Sequence, residues 1–400
     1  MRAARPGPLG ATGVSGLREW RVFGIVAYAL FMDYFVYGLV VPLAPYSPAG
    51  AVSEDRLALL YGAYAVGVLL ATPLFGYLGE RIGYRRPMVV GVTLSGVATL
   101  LFWLAPSYEL LLAARLFQGA SAAATWTIGL ALVAEHYVKD RIRMMGLALV
   151  ASTAGSIVGP SLGGLLHDLG GYDLPMAVTA GLVAVDFALR AFLLTTSHVG
   201  PGARVDLRAL LLDRSILVPA LAVALAAFGW GTVEPLLPAH LERHEAGAGT
   251  VGLLFTISTI AYGLCAPLVA WASERLAVRW VVLGGVVGMA ACLAALSQAS
   301  GVVPTAIGLC LLSAAFAFAL NPTSAELGNA VDRRGLACYA AVYAVYNIAY
   351  SVGMMATNAL VTAAATWVSF EAILLWAGAA LLACAPALLL VGHQAQTKRA

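Results

Sequence analysis

Apolar runs of roughly twenty residues follow one another along the whole chain, separated by short stretches of charge, Gly and Pro. A run of that length is what an α-helix needs to cross the hydrocarbon core of a bilayer. Twelve runs predict twelve transmembrane helices, at 22–46, 57–79, 87–105, 109–134, 144–166, 174–196, 215–238, 248–272, 279–298, 302–328, 336–362 and 368–391. Between the sixth and seventh, Ser197 to Arg214 is polar and contains Gly200, Pro201 and Gly202. The expected organisation is an all-α membrane protein with a tail over 1–21, a six-helix bundle over 22–196, a linker over 197–214, a second six-helix bundle over 215–391 and a tail over 392–400.

The two bundles echo each other. Pro73-Leu74, Glu80-Arg81 and Arg85 recur as Pro267-Leu268, Glu274-Arg275 and Arg279, and Pro42-Leu43-Ala44-Pro45 recurs as Pro235-Leu236-Leu237-Pro238. Paired halves of this kind are the architecture of secondary transporters, whose site lies between the repeats.

Composition excludes the alternatives. Apolar residues make up 61% and charged residues 11%, with a mean hydropathy of +0.87. A soluble domain carries about 25% charge, so lipid must be the solvent. A net charge of +3 without a basic run argues against nucleic acid. The cysteines Cys265, Cys292, Cys310, Cys338 and Cys384 sit in apolar stretches at no metal-ligand spacing and read as packing residues. The six histidines suggest no catalysis. With no G-x-x-x-x-G-K-[ST] loop for a nucleotide, the energy source is expected to be a gradient. No cofactor and no enzymatic activity are expected, and the chain is expected to act as a monomer.

Orientation follows from the loops. Nineteen of the 23 Lys and Arg lie on the side of the N-terminus, against Arg56 and Arg243 opposite, with Arg115 and Arg190 inside spans. Both termini are therefore expected in the cytosol. The first 21 residues read as a cytosolic tail rather than a signal peptide. Arginine far outnumbers lysine and alanine is abundant, which points to a bacterial cytoplasmic membrane.

Few charges remain inside the spans, and each is costly there. Asp33 stands midway along span 1, beside Tyr34 and Tyr37. An isolated carboxylate at that depth costs at least ~2.5–3.5 kcal/mol on insertion scales, so it is paired, wet or protonated. Glu234 precedes Pro235 in span 7. Asp186 and Arg190, spaced i,i+4, can pair on one helix face and read as mainly structural. Glu326 echoes Glu135 at the end of span 4. Tyr339, Tyr343, Tyr346 and Tyr350 form one stripe of span 11 with Asn347 a turn beyond Tyr343. With Trp126, Phe228 and Trp230 they can cage an organic cation, or simply pack.

Three segments carry a resemblance to a known family. Gly76-Tyr77-Leu78-Gly79-Glu80-Arg81-Ile82-Gly83-Tyr84-Arg85-Arg86 matches the major facilitator superfamily signature G-x-L-x-[DE]-R-x-G-x-[RK]-[RK] at every fixed position. In it, Gly76 and Gly83 permit close approach, and Glu80, Arg81, Arg85 and Arg86 form a charge clamp that gates access. Arg115-Leu116-Phe117-Gln118-Gly119 resembles the family's R-x-x-Q-G element, whose arginine is linked to proton coupling; a structural hydrogen-bonding role stays equally open. Gly155, Gly159, Pro160 and Gly163 resemble the antiporter motif of the drug:proton antiporter branch.

Within that branch the chain is similar to vesicular amine transporters and their bacterial relatives. The similarity rests on Met32-Asp33, Val40 to Pro45, Val185 to Leu189, Glu234 to Pro238 and Val342-Tyr343-Ala344. It implies the major facilitator fold and proton-coupled antiport that exports an organic cation, of amine or multidrug type, by alternating access. Asp33, Glu234 and Arg115 are then the proton-coupling and cation-binding groups, and Tyr34, Trp126, Trp230, Asn321, Tyr343 and Asn347 contact substrate. The family's second-span lysine falls at Tyr64, its tenth-span aspartate near Leu320-Asn321 and its eleventh-span aspartate at Asn347, which leaves substrate and stoichiometry open. A transporter of a neutral or anionic solute such as a sugar, with Arg115 in the site, is the alternative.

Overall fold

The computed structural model describes residues 12–43, 54–194, 213–233, 236–237, 241, 248–335, 338–364 and 367–390. They form twelve long helices. The first six are α1 Thr12–Leu43, α2 Glu54–Ile82, α3 Arg85–Leu104, α4 Tyr108–His136, α5 Arg141–Gly170 and α6 Asp173–Ala188, which runs on into a π turn, Leu189–Leu193. The second six are α7 Arg214–Val233, α8 Ala248–Arg275, α9 Val278–Leu296, α10 Val302–Arg334, α11 Tyr339–Ala364 and α12 Phe370–Cys384, closed by a 3₁₀ turn, Ala385–Leu390.

Each predicted span has its helix, with shifted ends. The α1 helix starts at Thr12, well before the expected span, and its apolar segment is Trp20–Leu39. Helices continue past the hydrocarbon boundary because nothing in their flanks breaks the backbone ladder. Eleven of the twelve are long and apolar enough to cross a membrane, and α11 falls outside that set. Its four tyrosines and Asn347 lower its hydropathy, and of these Tyr343, Tyr346 and Asn347 are buried within the protein. The described part of α7 ends at Val233. The expected linker lies almost wholly outside the described residues.

Packing repeats with a displacement of six helices. In the first half α1 lies on α5 and α4, α2 on α4, and α3 on α4 and α6. In the second, α7 lies on α11 and α10, α8 on α10, and α9 on α10 and α12. The fold is thus two pseudo-symmetric six-helix bundles. Small residues set the tightest approaches: a Cβ on Gly155 or Gly159 of α5 would collide with the Phe31 or Phe35 carbonyl of α1, and one on Gly353 of α11 with the Ala224 carbonyl of α7. Close backbone approach is the main source of helix association in lipid, where apolar burial contributes little. Large side chains such as Leu70, Leu264 and Phe192 stand on the outside, as lipid-facing residues do.

The halves meet through α2 against α11 and α5 against α8, with α4 on α11 and α5 on α10 completing the seam. A Cβ on Gly76 would stand 2.8 Å from the Ala344 Cβ, and one on Gly146 would stand 3.1 Å from the Ala266 Cβ. These approaches fall in the parts of the helices nearest the arginine-rich loops.

Candidate functional site

Two regions bring the singled-out residues together: a polar centre within the first half and a clamp where the halves meet.

The centre forms around Asp33. Its helix face turns into the bundle, leaving the side chain 7% exposed. Trp126 of α4 donates its indole N–H to Asp33 Oδ2 at 2.9 Å, and the Tyr64 hydroxyl of α2 is a second hydrogen-bonding partner. A buried carboxylate needs such donors, because its desolvation is otherwise uncompensated. Tyr34 meets the Trp126 ring edge-on, with centroids 5.6 Å apart, and Tyr37 lies 4.7 Å from the Tyr64 ring. A buried acid beside a cluster of aromatic side chains suits a desolvated organic cation. Tyr64 reaches Asp33 as a hydroxyl donor.

Arg115 stands on the same helix as Trp126, eleven residues earlier and so roughly 16 Å along the axis. It is completely buried, bonds to Gln118 Oε1 at 2.6 Å, and lies over the rings of Tyr37 at 5.3 Å and Phe102 at 5.8 Å. Gly119, next in that motif, seats α4 against the Tyr64 carbonyl of α2.

In the second half, Asn321 of α10 is wholly buried and accepts from the Tyr262 hydroxyl of α8 at 2.5 Å. Trp230 stacks on Phe316, with centroids 5.5 Å apart, and meets Phe255 edge-on, so its partners lie on α8 and α10. The tyrosine stripe of α11 divides by task. Tyr339 donates to Asp332 and Tyr343 to the Ser324 carbonyl at 2.8 Å, while Tyr346 and Tyr350 stack on each other near Tyr262. Asn347 donates to Thr72 Oγ1 of α2 at 3.0 Å, a bond between the halves. Glu234 lies outside the described residues.

The clamp is built from the loop signature. Gly83 has φ +78°, a conformation that favours glycine, and it lets α3 start three residues after α2 ends. Glu80 accepts the Ala341 N–H at 3.0 Å, so an acid of the first half caps the N-terminus of α11 in the second. Gly76 and Gly79 allow that approach. Arg81 bonds to Tyr77, and Arg85 donates to the Ala191 carbonyl in the π turn after α6; Arg86 is exposed. Burial raises the Tyr84 phenol far above its ordinary range, so it stays protonated and donates to Glu135.

Sequence reading placed Arg141 among the loop charges, yet it is the centre of the seam. It is 2% exposed, bonds to the Ala134 carbonyl from Nε at 2.9 Å, to Asn329 Oδ1 at 2.5 Å and to Asp332 Oδ2 at 2.9 Å. Glu326 belongs to the same cluster, paired with Arg333 at 2.7 Å and accepting from Asn329. No periodicity distinguishes Arg141 from Arg143; only the arrival of α10 does. Among the described residues no group of His, Cys, Asp and Glu is arranged to hold a metal ion.

Comparison with known proteins adds the family. A model described as Major Facilitator Superfamily matches residues 26–218 and again 219–400. The synaptic vesicular amine transporter of Rattus norvegicus is 30% identical over 325 residues, 76% of this chain and 62% of that protein. The chromaffin granule amine transporter of the same organism is 31% identical over 308 residues, 74% and 58%, and its vesicular acetylcholine transporter is 30% identical over 358 residues, 85% and 66%. The chain spans less than two thirds of the length of these relatives. In fold it is similar to an E. coli fucose:proton symporter, with a TM-score of 0.72 at 16% identity over 92% of this chain and 97% of that one.

Proposed function

This chain belongs to the Major Facilitator Superfamily as a multi-pass transporter, and from that premise we propose that it exchanges protons for an organic cation, amine-like in charge and size, exporting it by alternating access. The observation that carries this reading is Asp33, a buried acid bonded to Trp126 and Tyr64, whose rings pack in turn against Tyr34 and Tyr37. A proton and a substrate ammonium compete for such an acid, and that competition is what couples opposing fluxes. The similarity to vesicular amine and acetylcholine transporters supports the substrate class. What favours a cation over a neutral or anionic solute is the disposition of Arg115, which turns to Gln118 and two ring faces.

In the proposed cycle the two bundles rock about the site between them. The arginine-rich face, closed here by Arg141, Glu80 and the Gly76 approach, is the cytosolic one, so Asp33 is loaded with protons from outside. Substrate from the cytosol then displaces the proton after the clamp opens. A ligand drives this switch only through different affinities for the two states. Glu234 is a second acid of the same kind, Asn321 and Trp230 wall the second half, and Gly155 to Gly163 keep α5 moving with α1. The setting is a bacterial cytoplasmic membrane, and the working unit is the single chain.

The test is uptake into proteoliposomes under an imposed pH gradient, screening monoamines, polyamines and lipophilic cations. Gradient-driven uptake of a cation that Asp33→Asn abolishes is the expected result. Cation uptake unaffected by both Asp33→Asn and Glu234→Gln would sink the mechanism.

A further inference from the structure

Asp186 and Arg190 read from the sequence as a structural pair, but the fold sets them beside Asp33. Consecutive residues of α4 hold both sides: Trp126 donates to Asp33 at 2.9 Å, and Thr125 Oγ1 accepts from Arg190 Nη1 at 2.9 Å. The remaining Arg190 nitrogens go to Asp186, Nε to Oδ1 at 2.9 Å and Nη2 to Oδ2 at 2.5 Å. Asp33, Asp186 and Arg190 are all less than a tenth exposed. Two carboxylates and one guanidinium, with both acids ionised, leave one negative charge unbalanced. One further positive charge, a proton or one ammonium, would balance the cluster.

Arg190 is also placed to transmit that state. It is the second residue of the π turn Leu189–Leu193, a widened turn of a kind that recurs at functional sites. The next carbonyl, Ala191, accepts from Arg85 of the clamp. The other titratable groups around the cluster are the phenols of Tyr28, Tyr34 and Tyr37 on α1 and Tyr64 on α2, and the nearest further cation is Arg115 of α4, over the Tyr37 ring. The charged groups of α5 lie at its two ends, and Arg85 is the cation that α3 brings to the π turn.

We propose that Arg190 is the exchangeable counter-ion of Asp33, and that its π turn passes the charge state of Asp33 to the clamp through Arg85. With a proton or cation on Asp33, Arg190 stays on Asp186, as seen here. When Asp33 is emptied, the guanidinium is shared with it across Thr125, and the Ala191 carbonyl moves with the backbone. This rests on the reading of Asp33 as the proton-exchanging acid.

Infrared titration of the purified full-length protein tests the proposal without a known substrate. The protonated carboxyl band that disappears in Asp33→Asn is followed against pH. In Asp186→Asn/Arg190→Gln, which removes both charges of the pair, its midpoint should move to higher pH by a unit or more, a tenfold change in proton affinity. Arg190→Lys, which restores a cation beside an intact Asp186, should return it close to the wild-type value. A structural ion pair predicts an unmoved midpoint in the double variant, and that result overturns the proposal. Should the double variant not fold, Thr125→Val removes the bridge alone and should move the midpoint in the same sense; no movement there also overturns it. The route to the clamp is read from labelling of Cys338 at one fixed pH, where Asp33→Asn, which holds that position neutral, should change the rate and Arg85→Ala should abolish the change; no change, or one that survives Arg85→Ala, rejects the route. If Asp33→Asn leaves every titrating band in place, the function proposed above fails instead.

Discussion

Arg141, at the first residue of α5, holds Asp332 near the end of α10 at 2.9 Å, and so ties one half of the protein to the other. The arginine is 2% exposed and its partner 33%. A cation sealed that deeply, with Ala134 and Asn329 as further acceptors, fixes a closed face.

Opening that face should expose Cys338, which is 2% exposed and whose thiol burial pushes up to about 12. The thiolate is the reactive form, and its ordinary pKa is about 8.5. Release toward that value raises the thiolate fraction at pH 8. With Cys265, Cys292, Cys310 and Cys384 replaced by Ala, Arg141→Ala should speed labelling of Cys338 by a polar maleimide about tenfold or more. An unchanged rate would show that the seam is held elsewhere.

Gly76→Leu should act on the same equilibrium through sterics. A side chain there meets Ala344 within 2.8 Å at its first carbon. Overpacking typically costs about 1–3 kcal/mol, and here it falls on the closed arrangement alone. Faster Cys338 labelling with normal yield of folded protein is expected; slower labelling contradicts the assigned contact.

Glu80→Gln keeps an acceptor for the Ala341 N–H and removes the charge that favours a helix N-terminus. Such a charge contributes about 0.3–1 kcal/mol, so Cys338 labelling should rise no more than about fivefold. Glu80→Ala, which removes the acceptor too, should exceed it.

Trp126→Phe preserves a ring against Tyr34 but deletes the donor to Asp33. Hydrogen bonds to charged groups are worth about 1.5–3 kcal/mol. Gradient-driven uptake of the cation found in the proteoliposome screen should fall roughly ten- to a hundredfold in kcat/KM. Equal uptake by the two proteins would detach Trp126 from the mechanism.

Gly155→Ala should destabilise rather than gate. Its new methyl group would run into the Phe31 backbone carbonyl, which cannot swing aside as a side chain would. A thermal unfolding scan in detergent should show a lower Tm, while Gly164→Ala, where the added carbon meets open space, should leave it near wild type.

The hydrophobic pattern alone determined the helix count and the all-α membrane class, because a bilayer imposes a fixed length of apolar chain and forbids unsatisfied backbone, and recurring Pro, Glu and Arg positions showed the internal repeat. It also made Asp33 conspicuous, since charge inside a span is rare. The glycines of the loop signature were legible too, and the structure gives each a neighbour that leaves no room for a Cβ or, at Gly83, a positive φ. What the sequence could not show was which charges meet. Arg141 and Asp332 are 191 positions apart (332 − 141) and read as ordinary loop residues. Asp186 and Arg190 gave their own pairing by spacing, but not their place beside Asp33, which depends on α1, α4 and α6 converging. Spacing along one helix fixes a face; the rotation of each helix about its axis, set by close packing at glycines, decides what that face meets.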